Sequence, residues 1–140
     1  MNGRAQKYFA RKRFIYALTF PGKKIYIGQS VHPKKRFQQH QGDPKWGYWR
    51  DDMTMLVLKE FQGTQADGER LELRYRLKAE RHGYRVFGLP SVLIRSGKRA
   101  GFADHIASFH LPWPRGLGFA SWPWVGGTVG FLAIMFCLTL

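Results

Sequence analysis

Residues 13–29 have the sequence RFIYALTFPGKKIYIGQ, and this stretch decides the fold. Its two halves are rich in β-branched and aromatic residues, which favour β-strands. Between them, Phe20-Pro21-Gly22-Lys23 has the composition of a tight turn, because proline presets one central backbone angle and glycine accommodates the next. The stretch therefore predicts a β-hairpin with strands at 13–19 and 24–29.

The remaining elements extend this hairpin into a small mixed domain. They are a basic helix from about Ser30 to Gln41 with Pro33 in its first turn, a strand at 53–61, a helix at 64–82 and one more short strand at 84–87. The first strands follow one another too closely for parallel crossovers. We therefore expect an α/β (α+β) fold, with a small three-stranded antiparallel sheet flanked by helices and an apolar C-terminal tail.

Composition changes along the chain predict four parts. They are a basic N-terminal arm at 1–12, the folded domain at 13–88, a basic and irregular extension at 89–115, and an uncharged hydrophobic tail at 116–140. The 44% apolar content argues against a disordered basic chain. A single cysteine, Cys137, excludes an internal disulfide framework and a cysteine-based zinc site.

Charge indicates the kind of partner. The chain carries 23 Lys and Arg against 9 Asp and Glu, a formal charge of +14. Residues 1–50 hold twelve of the cations and one acid, Asp43. A basic and aromatic-rich segment is typical of a nucleic-acid binder, whose affinity comes from releasing counterions from phosphates.

The tail at 116–140 contains no charged residue. As a helix, Val125–Leu140 would be about 24 Å long, against the ~30 Å hydrocarbon core of a membrane, and Trp122 and Trp124 would serve as interfacial anchors. Membrane contact through this tail is our preferred interpretation. The alternatives are an apolar extension packed on the domain, or unrelated sequence joined by an ancestral frameshift. The first 13 residues lack an apolar stretch, so we expect a cytoplasmic protein, held at the cytoplasmic face of a membrane by the tail.

Five polar side chains on this scaffold form a candidate catalytic site. Hairpin pairing brings Tyr16 near Tyr26, and Arg36 and His40 share one helix face at a spacing of four residues. Glu72 lies on the later helix. Phosphodiester cleavage needs these groups, because a carboxylate holds a divalent metal, an arginine stabilises the phosphate, and a tyrosine or histidine activates water. Taken singly, each residue also has an ordinary structural interpretation.

The residues Phe14-Ile15-Tyr16, Tyr26-Ile27-Gly28-Gln29-Ser30 and Arg36-x-x-x-His40 together resemble the GIY-YIG nuclease domain. The resemblance covers about 14–86, with Phe14 standing at the first glycine of the family motif. It implies a metal-dependent DNA endonuclease with Mg²⁺ or Mn²⁺ as cofactor. Its implied catalytic residues are Tyr16, Tyr26, Arg36, His40 and Glu72, with Glu72 as the metal ligand. Glu69 is the competing ligand, although the spacing to Tyr75 favours Glu72.

Other residues are candidate contacts to DNA. They are Lys23 and Lys24 in the hairpin turn, and Lys34 and Lys35 on the basic helix. The aromatic residues Trp46, Tyr48 and Trp49 either stack on bases or pack a loop. The alternative to an endonuclease is a catalytically idle GIY-YIG-like protein that only binds nucleic acid and is attached to the membrane.

A first prediction concerns the salt dependence of DNA binding. The logarithm of the affinity should fall with the logarithm of salt concentration, at about −0.9 per neutralised phosphate. Replacing Lys34 and Lys35 together with Gln should flatten the slope, by up to about 0.9 for each lysine that contacts a phosphate. Fluorescence anisotropy at several salt concentrations measures both slopes. An unchanged slope in the variant would place the binding surface elsewhere.

Overall fold

The predicted hairpin forms the centre of the sheet. In a computed structural model, which describes residues 8–88 and 100–117, strand β1 runs from Arg11 to Phe20 and β2 from Lys24 to Ser30. The strands are antiparallel, with Tyr16 opposite Gly28 and Leu18 opposite Tyr26. The turn between them contains two residues with positive φ, Gly22 at 78° and Lys23 at 56°.

The other described elements follow in chain order. They are α1 (Pro33–Gln41), a 3-10 segment (Pro44–Arg50), β3 (Thr54–Gly63), α2 (Gln65–Arg81), β4 (Arg85–Val86), α3 (Phe102–Phe109) and a 3-10 turn (Arg115–Leu117).

The expected sheet of three antiparallel strands was wrong in one respect. The order is β3-β1-β2-β4, and the fourth strand, two residues long, is parallel to β2. After α2 the chain turns at Gly83, where φ is 78°. Arg85 N then donates to Lys23 O at 2.9 Å and Phe87 N to Ile25 O at 2.8 Å. The short strand expected at 84–87 is therefore present, but its parallel pairing to the free edge of β2 could not be predicted from a pattern of two residues.

The two faces of the sheet have separate cores, because side chains alternate along each strand. The face under α2 consists of Ile15, Ala17, Ile25 and Ile27, packed with Leu58, Tyr75 and Ala79. The opposite face consists of Tyr16, Leu18 and Phe20, packed with Trp46 and Met53. A register shift in the β1–β3 pairing between Ile15 and Tyr16 leaves Leu58 between their partners Lys59 and Val57. The motif tyrosine Tyr16 therefore lies on the face that α1 and the 3-10 segment cover.

Local hydrogen bonds determine where the helices begin. Thr64 and Asp67 form a reciprocal capping box at the start of α2, which confirms Thr64 as its cap. Helix α1 begins later than expected, with His32 as N-cap, because the Ser30 hydroxyl instead accepts from His32 N at 3.0 Å. Part of the extension after the sheet forms α3, whose Asp104 makes an ion pair with Arg74 of α2 at 3.0 Å.

Most of the hydrophobic tail, residues 118–140, lies outside the described residues. The expected membrane contact through 116–140 stays a prediction. Within 8–88 and 100–117, the helices are too short or too polar to cross a bilayer.

Substitution of Gly28 tests the register of the β1–β2 hairpin. A Cβ at this position would lie 2.7 Å from Tyr16 Oη and 3.0 Å from a Tyr26 ring carbon. Gly28→Ala should therefore lower the free energy of unfolding by about 1–3 kcal/mol, the usual cost of overpacking. Denaturant titration followed by circular dichroism measures the change. Gly42→Ala is the matched control, because its nearest contacts would lie at 3.7 Å. Equal stability of the two variants would contradict the close approach.

Candidate active site

The central contact of the site joins the first motif tyrosine to the histidine of α1. Tyr16 Oη and His40 Nε2 are 2.8 Å apart. Both side chains are buried, with relative exposures of 1% and 2%. Tyr16 projects from β1 toward α1, and His40 lies in the last turn of that helix. The polar ends of two buried residues thus satisfy one another.

A tryptophan determines which nitrogen of His40 carries the proton. Trp46 Nε1, in the 3-10 segment, donates to His40 Nδ1 at 3.4 Å. An indole nitrogen can only donate, so Nδ1 must be an acceptor and therefore unprotonated. In the neutral imidazole the proton is then on Nε2, which donates to the Tyr16 oxygen.

The electrostatic environment keeps the imidazole neutral. Burial, together with the nearby cations Arg36 and Lys45, lowers the pKa of His40 to about 4. Burial and the neighbouring Tyr26 raise the pKa of the Tyr16 hydroxyl, and the Arg36 guanidinium acts in the opposite direction. At neutral pH the pair is therefore an uncharged tyrosine beside an uncharged histidine.

Tyr26 completes a cluster of four aromatic rings. Its centroid lies 6.3 Å from Tyr16, 5.3 Å from His40 and 5.5 Å from Trp46. Tyr16 and Tyr26 are diagonal neighbours in the hairpin, and Gly28 leaves the space that both rings occupy. Tyr26 is only partly buried, so it lies between the buried cluster and the surface.

Glu72 forms a buried ion pair on the other side of Tyr26. Arg76 Nε donates to Glu72 Oε1 at 3.2 Å, and the side-chain exposures are 4% and 8%. Burial raises the pKa of the Glu72 carboxyl, whereas the Arg76 charge acts to lower it. The Arg76 guanidinium also lies 5.5 Å from the Tyr26 ring centroid, so the ion pair and the aromatic cluster are adjacent.

Arg76 connects three parts of the chain. Its two terminal nitrogens donate to main-chain oxygens of Ile27, Phe87 and Gly88, at 2.9, 2.9 and 2.8 Å respectively. β4 pairs only with Lys24 and Ile25 of β2. The bond from Arg76 to the Ile27 oxygen satisfies the edge of β2 beyond those two residues. These bonds fix the guanidinium, and the guanidinium fixes the carboxylate of Glu72.

The two candidate carboxylates have different surroundings. Glu69 is also buried, but its Oε1 accepts from Gln65 Nε2 at 3.1 Å, near the start of α2. The charge of Glu72, in contrast, acts on the Tyr16 hydroxyl. Of the two carboxylates, Glu72 is the one whose charge acts on the aromatic cluster.

The donor set suits a hard, weakly held cation. Glu72 Oε1 accepts from Arg76 Nε, and among the described residues no group of three or more His, Cys, Asp or Glu side chains forms a metal cage. Mg²⁺ commonly binds through one or two carboxylates and takes its other ligands from water and substrate phosphate. Glu72 fits that pattern.

Arg36 lies at the surface, where it can meet a phosphate. Its Nη1 donates to Gln39 Oε1 at 3.0 Å, and the side chain is exposed. It lines an open polar pocket of about 340 Å³ together with Gln29, Ser30, His32, Lys35 and Gln39. Arg36 also interacts with the Tyr16 hydroxyl, so it links the exposed pocket to the buried Tyr16–His40 pair.

The predicted DNA-binding lysines occupy two places. Lys34 and Lys35 are exposed on the first turn of α1, next to Arg36. Lys23 and Lys24 lie at the hairpin turn, about 13 Å along the strand from the Tyr16–Gly28 position. Lys24 Nζ lies 4.7 Å from the Trp49 ring centroid.

The aromatic residues after α1 were expected either to stack on bases or to pack a loop, and the structure separates them. Trp46 is buried and stacks on Phe20 at 5.1 Å, and Trp49 packs against Phe87 at 5.2 Å. Tyr48 is 79% exposed. Packing thus accounts for Trp46, whereas Trp49 is partly buried and Tyr48 is the most exposed of the three.

Sequence reasoning missed two residues of this site. Trp46 gave no signal of its bond to His40, since that bond crosses from a helix to a 3-10 segment. Arg76 did give a signal, because it follows Glu72 by four residues on one helix.

Comparison with protein families identifies a relationship over the same region. Residues 12–85, more than half of the chain, match the family model described as the GIY-YIG catalytic domain. Neither the curated proteins nor the solved structures include a match. The family match contains the hairpin, α1, β3 and α2, and thus every candidate site residue.

The tautomer of His40 can be tested by nuclear magnetic resonance. Ring nitrogen shifts should show a proton on Nε2 and a titration midpoint near 4. Because the unfolded chain takes up this proton near pH 6.5, the free energy of unfolding should fall as the pH drops from about 6.5 toward 4.

Trp46→Phe removes the donor to Nδ1 and should allow both tautomers. His40→Gln should reduce the acid-dependent loss of stability, which isolates the contribution of this ring. A wild-type protein with its proton on Nδ1 would contradict the assignment.

Proposed function

Because the chain belongs to the GIY-YIG nuclease family, we propose that it is a metal-dependent endonuclease that hydrolyses phosphodiester bonds in DNA. The observation that carries this proposal is the hydrogen-bonded pair of Tyr16 and His40 beside the pocket lined by Arg36. Glu72 lies next to the same aromatic cluster, on the far side of Tyr26. In this proposal the site would combine a water-orienting tyrosine, a phosphate-binding arginine and a metal-binding carboxylate.

The polar pocket is the proposed position of the scissile phosphate. Arg36 and Lys35 both line it, and an arginine can bind two phosphate oxygens at once. Negative charge increases on those oxygens in the transition state, so Arg36 contributes most at that point. Lys34, on the outer turn of α1, and Lys23 and Lys24, at the hairpin turn, would bind flanking phosphates.

Tyr16 is the proposed group that orients the attacking water. Its oxygen accepts a hydrogen bond from His40 Nε2, so its own O–H is available to water. His40 would hold the Tyr16 hydroxyl in position through this hydrogen bond. It would not take the Tyr16 proton, because Trp46 holds it in the tautomer that already bears a proton on Nε2. Tyr26 lines the opening to this pair.

Glu72 is the proposed ligand of Mg²⁺ or Mn²⁺. A divalent cation held there would polarise the phosphate and offset the charge of the leaving group. Arg76 positions the carboxylate through its bonds to three main-chain oxygens. Its positive charge also weakens cation binding, so the metal should bind tightly only when phosphate supplies further ligands.

One observation favours the alternative, a catalytically idle protein that binds nucleic acid. The Glu72 carboxylate already has a charged partner in Arg76, and the pair needs no metal to be satisfied. The basic surface of α1 would bind DNA whether or not the site reacts.

Substitution of Glu72 distinguishes the two functions. Glu72→Gln keeps the shape of the side chain but removes the charge that holds the cation. Nicking of supercoiled plasmid with Mg²⁺ or Mn²⁺ should fall by at least about 100-fold, the scale of losing one electrostatic stabiliser. DNA binding should be unchanged or slightly stronger, because one negative charge has gone.

Glu69→Gln is the matched control and should remain active. An inactive Glu69→Gln protein with an active Glu72→Gln protein would reassign the metal ligand. A wild-type chain that binds DNA but cuts with no divalent cation would establish the binding function instead.

A further inference from the structure

An apolar groove lies next to the polar pocket and has no role in the proposed chemistry. Its volume is about 730 Å³, and Phe14, Val31, Met55 and Val57 contribute its apolar lining. Phe14 is half-buried, and Val57 is 43% exposed. Exposed apolar surface of this kind commonly marks a binding site.

The groove is continuous with the candidate active site. Phe14 and Tyr16 lie on the same face of β1, two residues and about 7 Å apart. Val57 of β3 is the pairing partner of Tyr16. The groove and the polar pocket also share two lining residues, His32 and Lys35. A ligand with one group in the pocket can therefore place an adjacent group in the groove.

The charge around the groove identifies its occupant. Lys34 and Lys35 join His32 and Pro33 at its rim, and the residues that line it include no acid. An apolar floor beside exposed lysines complements a ligand that has a flat apolar ring joined to phosphate. A second copy of the chain, with a formal charge of +14, would be repelled.

We propose that this groove binds one unpaired nucleobase adjacent to the scissile phosphate. Such a base would stack on Phe14, while its flanking phosphates contact Lys34 and Lys35. A paired base is held in the duplex, so its entry requires unstacking and unpairing, which costs least where the base is already unpaired. The substrate class is therefore DNA with a bulge, a flap or a single-stranded segment. This inference rests on the proposed function, because it takes the polar pocket as the phosphate site.

Binding in the presence of chelator tests the groove without cleavage. The probes are two labelled duplexes of the same sequence, one fully paired and one with a single unpaired 2-aminopurine. The full-length chain should bind the bulged duplex at least about fivefold more tightly, the lower end of what stacking one base contributes. Phe14→Ala and Val57→Ser should remove most of this preference and leave binding to the paired duplex unchanged.

Leu56→Ser is the matched control. Leu56 is 37% exposed, adjacent to Val57 on β3, and pairs with Ala17, which belongs to the opposite face of the sheet. It should retain the full preference for the bulge. Equal affinity of the wild-type chain for both duplexes would overturn the proposal, as would an equal loss in Leu56→Ser. A dimer that dissociates in Val57→Ser would assign the groove to a second copy.

Cleavage of the same duplexes with Mg²⁺ separates this proposal from the proposed function. A chain that prefers the bulge but never cuts contradicts only the nuclease function. A chain that cuts without any preference for the bulge contradicts only the nucleobase groove.

Discussion

The register of the β1–β2 hairpin is the constraint on which the candidate site depends. It places Tyr16 opposite Gly28, the one residue type that leaves room for the phenol ring. A shift of one residue would turn Tyr16 toward α2 and put Ile15 or Ala17 against α1. The hydrogen bond to His40, the packing of Tyr26 and the tautomer imposed by Trp46 all follow from this one alignment.

Arg76 is a second constraint, because its hydrogen bonds hold α2 against the edge of the sheet. A buried guanidinium needs several acceptors, and Arg76 finds them in Glu72 and in three main-chain oxygens. The same bonds extend the pairing at the edge of β2 and hold Glu72 near the aromatic cluster. The placement of the carboxylate thus depends on backbone that belongs to β2 and to the residues after β4.

The distribution of charge separates acids that stabilise the fold from cations at the surface. Several of the few acids stabilise the fold, such as Asp67 in the capping box of α2 and Asp104 in its ion pair with Arg74. The cations of α1 and the hairpin turn remain at the surface. A phosphate chain is therefore attracted to the side of the sheet where Tyr16, Arg36 and the apolar groove lie.

The hairpin, the long capped helix and the family could be predicted from the sequence, because turn residues, capping residues and short motifs act over a few positions. It also predicted Tyr16, Tyr26, Arg36, His40 and Glu72 as the candidate site. The contacts that join distant segments became visible only in the three-dimensional structure. These are the parallel fourth strand, the bond from Trp46 to His40, the three carbonyls bound by Arg76, and the apolar groove between Phe14 and Val57. Each depends on how two elements approach in space, and that approach leaves no periodic pattern in either one.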